Sequence, residues 1–368
     1  MCGDIFSILE MGCCGCFGFM RKTHRSLVSV RGPGGRFSQE ILLSGCSKRS
    51  EEILQSRVRR GLTCREVPVK ETLQAVRSED ENGDKMVNEY VRECKIGSGS
   101  YGKVVLYRST KDGKKYAFKV FHKSHLMKLR VAPSETAMSD VLREVSIMKI
   151  LDHPNIVKLV EVIDDPNSDH FYMVLEYIEG KWVCEGSGPA SGIGEDASRT
   201  YLRDIIAGLM YLHSNNIIHG DIKPDNLLVT SSGRVKIGDF SVSQVFEVPG
   251  TPVFTAPECC QGLTYSGRAA DTWAVGVTLY CMLFGQYPFL GESLQDTYDK
   301  LLGDFPDSQR PLVIPEGVSP LLKDLVEGLL CKDPRRRLTL KAVSEHPWVV
   351  MGDAPEKGTG EEAEAGQL

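Results

Sequence analysis

The sequence predicts an α+β protein, β-rich over residues 90–178 and mainly helical over 179–348. Three observations predict it. From Tyr90 onward the apolar residues come in short β-type runs separated by glycine- and aspartate-containing turns. From Glu195 the period lengthens to that of a helix, with Tyr201, Leu202, Ile205, Leu209 and Leu212 recurring on one face. At 368 residues the chain has room for one two-lobed domain or two ordinary domains, plus tails.

Residues 1–85 lack sustained periodicity of either kind and are expected to form a basic, largely disordered arm. Over residues 1–64 ten Lys or Arg stand against five Asp or Glu, although the whole chain carries a net charge of −5. That overall charge gives no argument for a nucleic-acid partner. Residues 349–368 are acidic and glycine-rich and read as a flexible tail. No run approaches the roughly 20 apolar residues of a membrane span, and residues 5–19 lack the basic start of a secretory signal. The twelve cysteines show no metal-ligand pairing, which suits reduced thiols in the cytoplasm, the nucleus or both. Cys2, Cys13, Cys14 and Cys16 crowd beside Arg21 and Lys22. They form either a patch for reversible acylation, which would bring the chain to a membrane, or an unmodified Gly/Cys tail. Residues 48–60 mix charge with Ile53, Leu54 and Val58, a pattern for a short amphipathic helix capped by Ser50 or for a nuclear localisation signal.

Residues 91–96, a glycine loop and residues 105–107 read as strand, loop, strand. Ile96 and Val104 flank Gly97, Ser98, Gly99, Ser100 and Gly102, and the glycines let the backbone approach phosphate oxygens and point amide hydrogens at them. A dinucleotide-binding turn needs a helix directly after its glycines, whereas Val104, Val105, Leu106 and Tyr107 favour a strand. A hairpin turn at 111–114 leads to a strand over 116–120 that contains Lys119. A lysine among apolar strand residues is costly to bury alone, so Lys119 predicts an anionic partner. The helix over 140–151 offers Glu144. Residues 152–155 break that helix, strands follow over 156–163 and 171–177, and an irregular stretch over 180–194 leads into the helix of 195–215. A loop carrying the polar chemistry comes next.

That loop, residues 219–226, reads His-Gly-Asp-Ile-Lys-Pro-Asp-Asn, and Asp239, Phe240 and Ser241 follow. A carboxylate, a lysine, an amide and a second carboxylate at this spacing are the parts needed to move a phosphoryl group from Mg-ATP to a hydroxyl. With the glycine loop, Lys119 and Glu144, the chain resembles the eukaryotic protein kinases, and the resemblance implies their two-lobed fold with a β-rich N-lobe. It implies that Asp221 accepts or orients the hydroxyl proton, that Lys223 neutralises the transferring phosphoryl group, and that the acceptor is serine or threonine. Asn226 and Asp239 would hold Mg2+, Lys119 the ATP phosphates, and the backbone of residues 176–178, from Glu176 to Ile178, the adenine, with Leu175 behind the base. Glu258 would pair with Arg337, Asp271 would hydrogen-bond the catalytic-loop backbone or cap its own helix, and Thr251 would contact Asp221 and Lys223.

Residues 158–176, 250–258 and 273–285 resemble the calcium/calmodulin-dependent protein kinase kinases. Together with His-Gly-Asp, Asp-Phe-Ser and the arm from Lys48, they are similar to the plant branch, the geminivirus Rep-interacting kinases. This resemblance covers residues 48–348. It implies phosphorylation of the activation-loop threonine of the plant kinase related to AMP-activated and sucrose-non-fermenting kinases. That catalytic subunit would be the substrate partner, and the family's name adds a geminiviral replication protein as a further candidate. The acidic tail cannot present an apolar, basic face, so calmodulin is not an expected partner.

Three departures bear on activity. Gly220 stands where most kinases place an arginine that pairs with a phosphate on the activation loop. Ser241 replaces a usual glycine. The span from Asp239 to Glu258 is short by a turn or two of loop, which raises the alternative of a catalytically impaired, nucleotide-binding scaffold. Around Ser134 and Thr136 the apolar and basic residues fit the preference of AMP-activated-type kinases, against the plainer reading of a polar loop before a helix.

Overall fold

Eight short strands pair into one sheet, and over its central strands both faces are buried because apolar residues fall alternately on either side. The computed structural model describes residues 65, 67–99, 101–132, 135–184, 192–243, 256–260, 265–291, 294–302 and 312–351. All of these lie in one compact unit, Leu42–Leu368. The proposed acylation cysteines, the helix or localisation signal at 48–60 and the part of the acidic tail beyond Met351 lie outside the described residues, whereas Val349 and Val350, expected in the tail, belong to the last helix.

In chain order the N-lobe contains β1 (Lys70–Thr72), β2 (Arg77–Glu79), β3 (Lys85–Val87), β4 (Tyr90–Ser98), β5 (Lys103–Ser109) and β6 (Lys115–His122). Helix α1 (Lys123–Lys128), a small hairpin of β7 (Arg130–Ala132) and β8 (Glu135–Thr136), and helix α2 (Ala137–Ile150) follow, then β9 (Leu159–Asp164) and β10 (His170–Glu176). The order across the sheet is β1-β9-β10-β6-β5-β4-β3-β2, with β1 parallel to β9 and the other pairs antiparallel. Tyr90, Tyr107, Phe118 and Tyr172 pack edge-to-face or tilted on one side. Phe121, Phe171, Met173 and Leu159 face the other side, into the core shared with α2.

The expectation that residues 1–85 lack strands is corrected over 70–79 and at Lys85. β1, β2 and the first residue of β3 fall there, and the two outermost strands of the sheet, β1 and β2, are joined by residues 73–76 alone. Flat, eight strands would set their edges about 34 Å apart. The five residue steps from Thr72 to Arg77 span at most about 18 Å, so the sheet curls until its edges approach. The strap that closes it is held by side chains. Ala75 N–H donates to Asp165 at 3.0 Å, Arg77 Nη2 to the Tyr172 hydroxyl at 2.8 Å, and Arg65 Nη1 to the Leu159 carbonyl at 2.8 Å. Glu161, fully buried on β9, accepts from Lys70 at 2.9 Å, from Tyr90 at 2.7 Å and from Thr72. Sequence periodicity missed this segment because its strands are three residues long and almost wholly exposed, and only pairing makes them strands.

The loop expected before the Glu144 helix is also more ordered. It contains α1 and the β7–β8 hairpin, and α2 starts at Ala137 with Thr136 and Ser139 in a reciprocal capping box.

In the C-lobe, α3 (Glu195–Ser214) buries Leu202, Ile205, Leu209 and Leu212, the face its periodicity predicts. A single 3-10 turn (Pro224–Asn226) and the hairpin of β11 (Leu227–Val229) and β12 (Val235–Ile237) carry the loop residues. Helices α4 (Pro257–Cys260), α5 (Gly267–Phe284), α6 (Leu294–Leu302), α7 (Pro320–Leu329), α8 (Leu340–Ser344) and α9 (Pro347–Val350) complete it. Nearly all of α5 is buried, and α7 approaches so closely that a β-carbon on Gly276 would lie 2.9 Å from Leu329 and Leu330.

Replacing Glu161 by Gln removes the charge on which Lys70, Thr72 and Tyr90 converge. Glu161→Gln is expected to lower unfolding stability by about 2 kcal/mol and to expose residues 65–79 to proteolysis before the rest of the domain, read by limited digestion and by a denaturant midpoint.

Candidate active site

Lys119 projects from β6 into the space between sheet and helix, where two carboxylates meet it. Its Nζ lies 2.6 Å from Glu144 on α2 and 3.0 Å from Asp239, two residues beyond β12. Burial disfavours the ammonium, but the two carboxylates outweigh it and raise the Lys119 pKa. Asp239 is only half-buried, its side chain 39% exposed; its partial desolvation pushes the carboxyl up, but Lys119 and a hydrogen bond with the Ser241 side chain outweigh this and hold it well below the usual range. The Phe240 N–H also reaches Glu144, so the helix and the Asp-Phe-Ser segment are joined twice. Asp239 sits in the left-handed region, at φ 56°, a conformation aspartate tolerates better than most residues. Phe240 is buried with its ring edge-on to His219 at 5.1 Å.

The catalytic loop hangs from one buried carboxylate. Asp271, on α5, accepts from His219 N–H at 3.0 Å and Gly220 N–H at 2.9 Å, and its Oδ2 lies 2.8 Å from His213 Nε2. The expected bond to the loop backbone is present, whereas the alternative role as helix cap is not: α5 begins four residues earlier, at Gly267, and Ser266 caps it by accepting from Ala269 N–H. Ser243 Oγ closes the loop from the other side, donating to the His219 carbonyl at 3.0 Å. His213 and Ser243 were missed in the sequence because a lone His at a helix end and a lone Ser carry no signal until the fold brings them to the loop.

Held this way, the loop places Asp221 Oδ2 2.7 Å from Lys223 Nζ and 3.1 Å from Asn226 Nδ2, which also donates to the Asp221 carbonyl at 2.8 Å. Asp221, Lys223 and Asn226 thus form one cluster on a single loop, while Lys119, Glu144 and Asp239 form a second. Gly220 has φ 77°. The residue that looked like a lost cation therefore also meets a backbone demand, since a β-carbon at this φ is strained.

The glycine loop divides its labour. A β-carbon on Gly102 would fall 2.3 Å from the Val120 carbonyl oxygen, whereas one on Gly99 would meet nothing within 4 Å. Gly102 is a packing requirement, and Gly99 leaves open space. Ile96 is exposed, and Val104 is half-buried across the hairpin from it. At the other wall the Glu176 carboxylate accepts from Lys158 N–H at 2.7 Å and from Lys236 Nζ at 2.8 Å, which ties the segment of Glu176 and Ile178 to the β11–β12 hairpin. Leu175 and Ile178 pack on the main core.

The end of the segment after Asp239 is anchored as expected. Arg337 donates to both Glu258 oxygens, at 2.7 and 2.9 Å, in a buried bidentate pair. Ser100, Ser134, Thr251 and the shortened stretch around Thr251 lie outside the described residues. Thr136 is described, as the half-buried N-cap of α2.

These contacts separate backbone roles from nucleotide roles. Gly102→Ala should destabilise the domain, while Gly99→Ala should leave its thermal midpoint nearly unchanged and weaken nucleotide binding, both read by thermal shift with and without Mg-ADP. Gly220→Ala should cost about 1 kcal/mol of stability and lower kcat more than it changes the KM for ATP.

Comparison with known proteins agrees with this geometry. The protein kinase domain family matches residues 90–349. The serine/threonine-protein kinase GRIK2 of Arabidopsis thaliana is 71% identical over 83% of this chain and 76% of its own length. GRIK1 of the same plant is 62% identical over 95% of this chain and 93% of its own. A calcium/calmodulin-dependent protein kinase kinase of Caenorhabditis elegans is 41% identical over 72% of this chain and 53% of its own. The chain belongs to the protein kinase family and, within it, to the serine/threonine kinases of the GRIK type.

Proposed function

We propose that this kinase transfers the γ-phosphate of Mg-ATP to the activation-loop threonine of a plant AMP-activated/sucrose-non-fermenting-type kinase. The observation that carries the phosphotransfer chemistry is the cluster of Asp221, Lys223 and Asn226 on one loop, in a chain whose Lys119 is paired with both Glu144 and Asp239. Asp221 receives the threonine hydroxyl and takes its proton as the oxygen forms the new bond to phosphorus and the bond to the β-bridging oxygen breaks. Lys223 balances the negative charge that the transferring group spreads over its oxygens. The glycine loop, from Ile96 through Gly97, Ser98, Gly99, Ser100 and Gly102 to Val104, covers the phosphates, and Lys119 binds them. The backbone at Glu176 and Ile178 receives the adenine.

Asn226 and Asp239 would hold Mg2+ through a carboxamide and a carboxylate oxygen, hard donors that suit it, and the ion would supply positive charge against that of the phosphates. The substrate reading rests on the family resemblance and on the C. elegans relative, whose name makes it a kinase of kinases. Thr251 would join Asp221 and Lys223 in shaping the acceptor groove, and a geminiviral replication protein is a further partner by the same resemblance. Ser134 and Thr136 are candidate sites for return phosphorylation by the downstream kinase. Among the described residues no helix is long and apolar enough to cross a membrane. The cytoplasm, the nucleus or both remain the proposed compartment.

Full-length protein incubated with Mg-ATP and a kinase-dead AMP-activated-type catalytic subunit should produce phosphothreonine in the activation loop of that subunit. Asp221→Ala should reduce the rate by about 100-fold or more. Nucleotide binding without transfer by the wild type would replace this reading with that of an impaired scaffold, the alternative that the short span from Asp239 to Glu258 suggests. Substituting both Ser134 and Thr136 by Ala should abolish phosphate incorporation by the active downstream kinase, and undiminished incorporation would rule out both sites.

A further inference from the structure

The loop that covers the phosphates and the helix that carries Glu144 meet at a second point. Tyr101, at the tip of the glycine loop, donates its hydroxyl to Asp140 Oδ2 at 2.8 Å. Asp140 lies in the first turn of α2, one helical turn before Glu144, so the two carboxylates share a face of the helix. Arg143 Nη1 holds the other Asp140 oxygen at 3.0 Å, which orients the carboxylate with Oδ2 toward the loop. Both side chains of that ion pair are largely buried, at 15% and 11% exposure, so the contact is shielded from the competition with water that weakens a surface bond. The loop tip is held from below as well: the Tyr101 ring packs partly on the main core, and Gly102 is pressed against the Val120 carbonyl.

We propose that Tyr101 and Asp140 are positioning residues for phosphotransfer, a latch that makes the glycine loop, α2 and the Lys119–Glu144 pair close on the nucleotide phosphates as one unit. An outward swing of α2 that breaks the 2.6 Å contact of Glu144 with Lys119 also draws Asp140 away from Tyr101. A contact made in one of two arrangements and absent from the other shifts the balance toward the first. The device has particular weight in this chain. Gly220 supplies no cation through which a phosphorylated activation loop could fix the closed arrangement, which leaves that task to contacts made by α2 itself, the Tyr101–Asp140 bond among them. Tyr101 touches neither the acceptor hydroxyl nor Asp221 in this scheme, and it acts through the helix.

The inference rests on the phosphotransfer reading of the site and not on the identity of the substrate. Its test is a double-mutant cycle in the full chain with Tyr101→Phe, which keeps the ring, Asp140→Ala, and the two together. KM for Mg-ATP, kcat on any accepted protein substrate, affinity for Mg-ADP and thermal midpoint are measured for each. Tyr101→Phe is expected to raise the KM for Mg-ATP and weaken Mg-ADP binding about fivefold with little change in thermal midpoint. The double variant should be no worse than Asp140→Ala alone. Unchanged KM and kcat in Tyr101→Phe, or effects of the two changes that simply multiply, would overturn the latch. So would a loss of Mg-ADP affinity that merely tracks a falling thermal midpoint. If the wild type transfers no phosphate at all, the phosphotransfer reading fails, and the same cycle read on Mg-ADP affinity still decides whether the two residues are coupled.

Discussion

The buried charge of Lys119 is the constraint on which the arrangement of this kinase depends. An ammonium withdrawn from water is tolerated only if carboxylates replace the lost solvation, and here they come from two places far apart in the chain, Glu144 on α2 and Asp239 after β12. Satisfying one side chain therefore fixes the sheet, the helix and the hairpin of the C-lobe relative to one another. The Phe240 N–H bond to Glu144 and the hydrogen bond of Ser241 with Asp239 tighten the same junction. A charge that is costly to bury thus becomes a device for placing three elements.

Asp271 plays the corresponding part in the C-lobe. It is almost inaccessible to solvent, and its two oxygens receive His219, Gly220 and His213. The catalytic loop can then be an irregular segment and still be rigid, because its backbone donors have partners in a well-packed helix. Glu258 and Arg337 do the same for the far end of the segment that begins at Asp239. Each anchor is a buried carboxylate receiving several donors.

The two unusual letters acquire physical meaning from the backbone. Gly220 occupies φ 77°, where glycine is relaxed and other residues are strained. Its appearance there removes a cation and at the same time relieves the loop. Ser241 gives up some conformational freedom relative to glycine and in exchange places its side chain against Asp239. The N-terminal strap closes the curled sheet and joins Glu71 to Lys149 near the end of α2 at 2.9 Å.

The sequence by itself determined the class of chemistry and most of the long elements. The catalytic-loop candidates Asp221, Lys223 and Asn226 are closely spaced, and long helices such as α3 bury a stripe that repeats visibly along the chain. It determined that Lys119 needs a carboxylate, because that requirement is a property of the side chain and its apolar neighbours. Only the tertiary structure decided which distant groups meet. The three short strands of the strap are exposed and carry no periodic signal, and they exist because edge strands of a curled sheet leave backbone groups for them to pair with. The partners His213 and Ser243, the handedness of the backbone at Gly220 and Asp239, and the contact of Tyr101 with Asp140 depend on distances between segments that are remote in sequence. Local pattern reports what a residue requires, and folding alone selects the group that supplies it.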